Sequence, residues 1–338
     1  LVKNTFLSRL ALYASFFALG VIALGAFTRL IDAGLGCPDW PGCYGHLTVP
    51  TTAGAEYPGA HVVAHKAWAE MVHRYFVSGL SIFILAIVGT IFTKRNYRTL
   101  GNIVLALMLI LLLCYQIELG RWTVTLKLLP VIVSQHLLGG FLILSMLWLV
   151  YLNNRTQNFT VRTRKIPNVK PLLLFAIIAL LLVFGQIMLG AWTSTNYASL
   201  SCPGFPFCVK DQALTMHFQQ AFNLFSPVGV NYEGGVLPEA IRQTIQMAHR
   251  FGAMLVTVYL LLLMIISVPK LKSIPELMMS LYLILLLLCL QLCFGISNVI
   301  FKLPLATAIS HNIAAALLLL SVITFTYKLA DFSKRFAA

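Results

Sequence analysis

Charge is scarce in this chain. Asp, Glu, Lys and Arg make up 10% of 338 residues while 59% are hydrophobic, a balance that no soluble domain of this length would carry. Short alternating segments are also missing, which excludes a membrane β-barrel. The apolar residues gather instead into eight runs, at about 10–30, 70–93, 100–121, 131–152, 171–192, 241–268, 276–299 and 304–328. Each is near the ~20 residues that cross ~30 Å of hydrocarbon, and in lipid such runs must be helices. The first run follows Lys3 and Arg9 but lacks a small-residue cleavage site, so it reads as a retained anchor.

Acids are scarcer still, 10 against 24 Lys and Arg. Most of the basic residues fall in the two termini and in segments 94–99, 153–170 and 269–275. Eight spans put all of these on one side. Short basic loops stay inside, so both termini are expected in the cytoplasm. The net charge of +14 therefore reports topology, and nucleic acid is not an expected partner; membrane lipid is.

The fold class expected is an all-α membrane protein of eight transmembrane helices, built as two tandem, same-orientation four-helix bundles. Landmarks recur in order. Gly25-Ala-Phe-Thr28, Cys37-Pro38, Pro41 and Cys43 return as Gly190-Ala-Trp-Thr193, Cys202-Pro203, Pro206 and Cys208. Met71, His73 and Arg74 return as Met247, His249 and Arg250; Gln116, Gly120 and Lys127 return as Gln291, Gly295 and Lys302. The division expected is 1–152, a basic linker 153–170, and 171–338, the parallel form of internal repeat.

Four histidines carry the chemistry: His73, His136, His249 and His311, one near the start of the second, fourth, sixth and eighth spans. A lone membrane histidine usually bonds a neighbouring helix. Four at one depth, two in each half, are instead what bis-imidazole haem iron needs. His73 pairs with His136, and His249 with His311, because each half is its own bundle. Arg74 and Arg250 follow the first histidine of each pair. Boundary arginines commonly snorkel to headgroups, but beside a haem they would bind propionates.

One position breaks the pattern. Glu70 stands three residues before His73, where the second half has Gln246 before His249, and residues at i and i+3 share a helical face. Glu70 is either a favourable acid in the first turn or a carboxylate that moves protons beside one haem only.

Gln116-x3-Gly120, Gln186-x3-Gly190 and Gln291-x3-Gly295 share one spacing on the alternate helices. This reads first as close helix packing, with the glycine also clearing room for a flat ligand. Cys37 with Cys43 and Cys202 with Cys208 lie in the outer loops, about 31–69 and 193–240, and are expected to be disulfide clips. A redox-active or metal-binding role is the alternative, disfavoured because each loop offers only two sulfurs. Cys114, Cys289 and Cys293 read as small apolar fillers. His61 with His65, and His46 and His217, read as loop residues.

Taken together, the chain resembles the haem A synthase family over nearly its whole length. The resemblance rests on the eight spans, the four histidines, Glu70-Met-Val-His73-Arg74, the loop cysteine pairs, and the helix end Gly25 to Thr28 followed by Cys37-Pro-Asp-Trp-Pro41. It implies an oxidoreductase that turns a ring methyl of haem O into the formyl group of haem A for terminal oxidases. It further implies that His73 and His136 hold the substrate with Glu70 as the essential acid, and that His249 and His311 ligate a haem b. A haem O supplier, a terminal oxidase and an electron-transfer partner would be its associates. The setting would be the bacterial inner membrane or an equivalent, with the haem sites toward the outer side. Glu118 in the third span and the apolar stretch Phe218 to Val228 depart from the family pattern. The competing reading is a di-haem b-type cytochrome that moves electrons without modifying haem; a haem transporter would not need Glu70.

Overall fold

A backbone that cannot find water must bond to itself, and these apolar runs do so as long helices. The computed structural model describes residues 6–59, 61–162, 168–208 and 215–336. Its elements are α1 (Phe6–Leu30), α2 (Ala64–Thr93), a short 3-10 turn Arg95–Tyr97, α3 (Leu100–Thr125), α4 (Pro130–Asn153), α5 (Lys170–Thr195), the one-turn α6 (Phe218–Ala221), α7 (Glu239–Leu271), α8 (Pro275–Ile300) and α9 (Leu305–Phe336). Among the described residues there is no strand, and eight helices are long and apolar enough to cross a membrane. Lys3, Arg164, Lys165 and the start of loop 209–240 lie outside the described residues.

Local chemistry sets the helix ends. Pro130, Pro171 and Pro275 open α4, α5 and α8, where a missing N–H costs nothing. The Thr99 side chain accepts from the Asn102 N–H to cap α3. Lys127-Leu128 between α3 and α4, and Lys302-Leu303 between α8 and α9, are each a consecutive pair of left-handed residues at φ 49–62°. That rare backbone reverses the chain within a few residues. The helices α2, α7 and α9 run past their apolar spans. Hydropathy sees only the lipid-facing part, whereas Ala64-His-Lys-Ala-Trp68 is helical by propensity and Asp331 to Arg335 is stapled by an i,i+4 ion pair of 2.9 Å.

Helix neighbours follow a closed order. α1 packs on α2 and α4, and α3 on α2 and α4; α5 packs on α7 and α9, and α8 on α7 and α9. Between these sets α4 meets α5 and α9, and α1 meets α9. One apolar core runs without a break from Leu7 to Phe332. The outward faces are equally apolar: Ile82, Leu111, Leu181 and Ile265 are all exposed, as expected where lipid is the solvent. The cysteines Cys114, Cys289 and Cys293 are also on that exposed surface. They lie within the spans as small apolar residues and face outward; periodicity alone could not say which face of an all-apolar helix turns inward.

At the end away from the long loops, segment 153–162 is docked rather than free. Phe159 packs edge-on against Phe332 at 5.4 Å, and the Arg162 N–H donates to Ser273 O. At the loop end the contact between the two helix sets is polar. Arg29 donates to Ser194 O at 2.6 Å and lies 3.9 Å from the centre of the Tyr197 ring, whose hydroxyl donates to Asp32 at 2.9 Å. Burial raises the Tyr197 phenol above its usual value, with Arg29 opposing, which keeps it the donor to Asp32. A second strap comes from the later loop: Glu233 pairs with Lys66 at 3.2 Å, and the Tyr232 N–H donates to Lys127 O.

Candidate haem-binding site

The four histidines lie within about three turns of the start of α2, α4, α7 and α9, all at the loop end. Each is seated against a glycine of a neighbouring helix. A methyl group placed on Gly25 would meet His73 Cε1 at 3.0 Å; on Gly120 it would meet His136 Cε1 at 3.4 Å; on Gly190, His249 Cε1 at 3.1 Å; on Gly295, His311 Cε1 at 3.1 Å. The glycines thus clear room for imidazoles, where the sequence suggested room for a flat ligand.

The glutamine of each Gln-x3-Gly motif serves the same histidine. Gln116 donates to His136 O at 2.7 Å. Gln186 donates to His249 O at 2.9 Å and also lies 3.0 Å from its Nδ1. Gln291 lies 3.2 Å from His311 Nε2. Gly139 and Gly252, each three residues after a histidine, make space for these amides: a methyl there would lie 2.3 and 2.2 Å from Gln116 and Gln186 Oε1. The spacing His-x2-Gly, present at His136 and His249, is the signal that would have revealed this second notch.

Burial without partners tests whether these side chains fit a metalloporphyrin. His73 Nδ1, His136 Nδ1 and His311 Nδ1 are buried with no hydrogen-bond partner. Buried imidazole nitrogens are rarely left so, and a donor set of imidazole pairs suits haem iron. His61 and His65 are exposed, and among the described residues no cluster of three or more His, Cys, Asp or Glu forms.

Glu70 and Arg74 join the first loop to α2. Glu70 is buried; its Oε2 accepts from the Cys37 N–H at 2.8 Å, and its Oε1 pairs with Arg74 at 2.5 Å. Arg74 also donates to the carbonyls of Pro41 and Gly42. In the other half Arg250 donates to Cys202 O at 2.7 Å, Gly204 O at 2.6 Å and Pro206 O at 3.1 Å, while Gln246 Oε1 is buried without a partner. Both arginines therefore close their loops over the histidines, and among the described residues only the first loop is also bonded to a carboxylate of its own histidine-bearing helix. Glu118 pairs with Arg121 at 2.8 Å on an exposed face, an interaction worth little to stability.

Both loops are clipped as expected, Cys37 to Cys43 and Cys202 to Cys208. Thiol labelling of the denatured, unreduced protein should modify Cys114, Cys289 and Cys293 only, with the four loop cysteines reacting after reduction. Labelling at any loop cysteine before reduction, in protein isolated under oxidising conditions, would contradict the clips.

The model of the COX15-CtaA family, a cytochrome oxidase assembly protein, matches residues 8–323. Heme A synthase of Shewanella oneidensis is 42% identical over 335 residues, covering 96% of this chain and 96% of that protein. Heme A synthase of Bacillus pumilus is 24% identical over 308 residues, covering 90% of this chain and 88% of that protein.

Proposed function

The chain belongs to the haem A synthase family as a membrane oxidoreductase that converts haem O to haem A, and on that premise we propose that its two halves divide the work. Residues 1–152 bind the substrate haem O between His73 and His136. Residues 171–338 bind a haem b between His249 and His311, and 153–170 link the two. The observation that carries this reading is the common seating of four imidazoles on four glycines, with a carboxylate one helical turn before the first histidine of one pair alone. The tandem, same-orientation arrangement is supported by the matching helix order and by the left-handed pairs at Lys127-Leu128 and Lys302-Leu303.

The chemistry asked of the protein is to take a methyl carbon to the formyl level, which, with water as the source of the formyl oxygen, releases protons and electrons. A bound haem b supplies a store for electrons. The polypeptide supplies the rest. His73 and His136 hold the substrate iron, and the clipped loop over them limits water. Glu70, pinned by the Cys37 N–H and Arg74, presents a fixed carboxylate that favours positive charge nearby and accepts a proton. Arg74 and Arg250, on the histidine-bearing helices beneath these loops, are the cations that would pair with haem propionates. Gln246 is neutral and gives the second pair no comparable base.

The basic residues Lys94, Arg95, Arg98, Lys270, Lys272, Lys334 and Arg335 lie at the end opposite the disulfide loops. Short basic segments at that end support a topology with the termini in the cytoplasm of a bacterial inner membrane or its equivalent, and the haem pairs toward the outer side. A haem O supplier, a terminal oxidase and an electron-transfer partner are the associates such a reaction calls for.

The test separates the halves. Purified His73→Ala should keep the six-coordinate haem spectrum of the C-terminal pair and lose substrate binding. His249→Ala or His311→Ala should remove that spectrum. Extracted haems identified by mass spectrometry should be haem b from the second site and haem O or haem A from the first. If His73→Ala stripped all haem while His249→Ala changed nothing, the assignment of the halves would be wrong.

A further inference from the structure

A cleft of about 180 Å³ lies where α1 of one helix set approaches α8 and α9 of the other. Its walls are Phe16 and Leu19 of α1, Trp148 of α4, Leu283 and Leu287 of α8, and Leu320 of α9. Phe16 and Leu283 are exposed at its flanks, so it opens sideways toward lipid. Hydroxyls also line it, but each is spent. Ser15 and Ser321 donate to Ala11 O and Leu318 O; Thr324 donates to Leu320 O and accepts from the Trp148 indole at 2.8 Å. A wall whose polar groups are all satisfied from within takes an alkyl chain.

The same faces lead to a cationic mouth at the end opposite the disulfide loops. On α9, Lys328 stands one turn beyond Thr324. On the α4 side, Trp148 packs on Tyr151 at 4.8 Å, and the Arg155 guanidinium lies 5.5 Å from the centre of the Tyr151 ring and donates to its hydroxyl. Boundary lysines commonly snorkel outward to headgroups, but Lys328 is tied back to α8. It donates to Glu276 O at 3.3 Å and to the Ser280 hydroxyl at 3.1 Å, which leaves one of its three N–H bonds. Among the described residues neither Lys328 nor Arg155 pairs with a carboxylate, and Glu276 gives its Oε1 to the Thr160 N–H. By the spacing that matches His136 with His311, the other half has Asn153 in place of Lys328 and Ala330 in place of Arg155. The repeat itself therefore does not demand charge here. We propose that the cleft binds one anionic phospholipid from the leaflet opposite the disulfide loops, with an acyl chain along its wall and the phosphate at Lys328 and Arg155. Basic pockets between membrane helices recognise anionic headgroups in this way. The lipid touches α1 of one set and α8 and α9 of the other, and so fills a seam that the polar contacts at the loop end do not reach.

Trp148 is the probe, because it forms part of the wall. The full chain would be placed in phosphatidylcholine vesicles, and the Trp148 emission taken as the difference from Trp148→Phe. Phosphatidylglycerol with brominated acyl chains should quench that emission at a mole fraction roughly fivefold lower than brominated phosphatidylcholine does. Lys328→Gln combined with Arg155→Gln should remove the preference and leave the two lipids equal, whereas Lys328→Arg should keep it. Arg155→Gln alone, at an exposed position, should weaken the preference and repeats the test if the double variant is poorly made. Loop-cysteine protection reports an intact fold in each. Equal quenching by the two lipids in the wild type would overturn the proposal, as would a full preference in the folded Gln variants. Quenching by neither lipid would mean that another molecule, such as an isoprenoid, occupies the cleft, and would overturn it as well.

Discussion

Gly190→Val should empty the C-terminal haem site while leaving the N-terminal one loaded. The first side-chain carbon at this position would lie 3.1 Å from His249 Cε1 and 3.8 and 3.9 Å from its two nitrogens, so it meets the whole ring edge. The ring has nowhere to retreat while Gln186 holds its Nδ1 and its carbonyl. A β-branched residue adds two methyl groups to that conflict, and overpacking of a filled site costs about 1–3 kcal/mol. At ~1.4 kcal/mol per factor of ten, haem retention should fall by roughly tenfold to a hundredfold. Gly185→Val is the control on the same helix, since nothing lies within 4 Å of its added carbon. Gly120→Ala should be the mildest of the four histidine-facing changes, its contact being 3.4 Å. Wild-type haem content and spectrum in Gly190→Val would show that the glycine seats nothing.

That effect could not have been read from the sequence, although its parts could. The eight helices were legible because lipid leaves an apolar run no alternative, and the histidines stood out because a polar ring at membrane depth needs a reason. The cysteine pairs were legible from spacing and compartment. The Gln-x3-Gly spacing was visible too, but its use depends on what the neighbouring helix presents opposite it, and one strand of sequence carries no such information. The same holds for Arg29, Asp32 and Tyr197. Their contact joins two helix sets across 165 residues of chain, and nothing local to either segment announces it. The outward facing of Cys114, Cys289 and Cys293 was not legible for a related reason: with apolar residues on every side of a helix, the pattern that marks an inward face in water is lost.

Glu70→Gln should keep the fold, both clips and haem binding, and should stop or stall conversion of haem O. The geometry makes the substitution a test of charge more than of tethering. Gln retains an oxygen able to accept the Cys37 N–H now bonded to Glu70 at 2.8 Å, so the loop has its anchor, and Arg74 still holds it through Pro41 and Gly42. What is lost is the negative charge beside His73 and the ability to take a proton. General-base groups contribute typically ~10²–10⁴-fold, so formation of haem A should fall by about that factor, with a hydroxylated intermediate accumulating if the second oxidation suffers more than the first. Glu70→Ala removes the anchor as well and should expose the loop to protease, which Glu70→Gln should not. Gln246→Glu supplies a carboxylate to the second pair but no substrate, and should leave that haem unmodified. Each variant would be expressed with a supply of haem O and its extracted haems separated by chromatography. Normal haem A from Glu70→Gln would leave the carboxylate with one task, holding the Cys37 loop to α2, and the difference between Glu70 and Gln246 would then be structural rather than chemical.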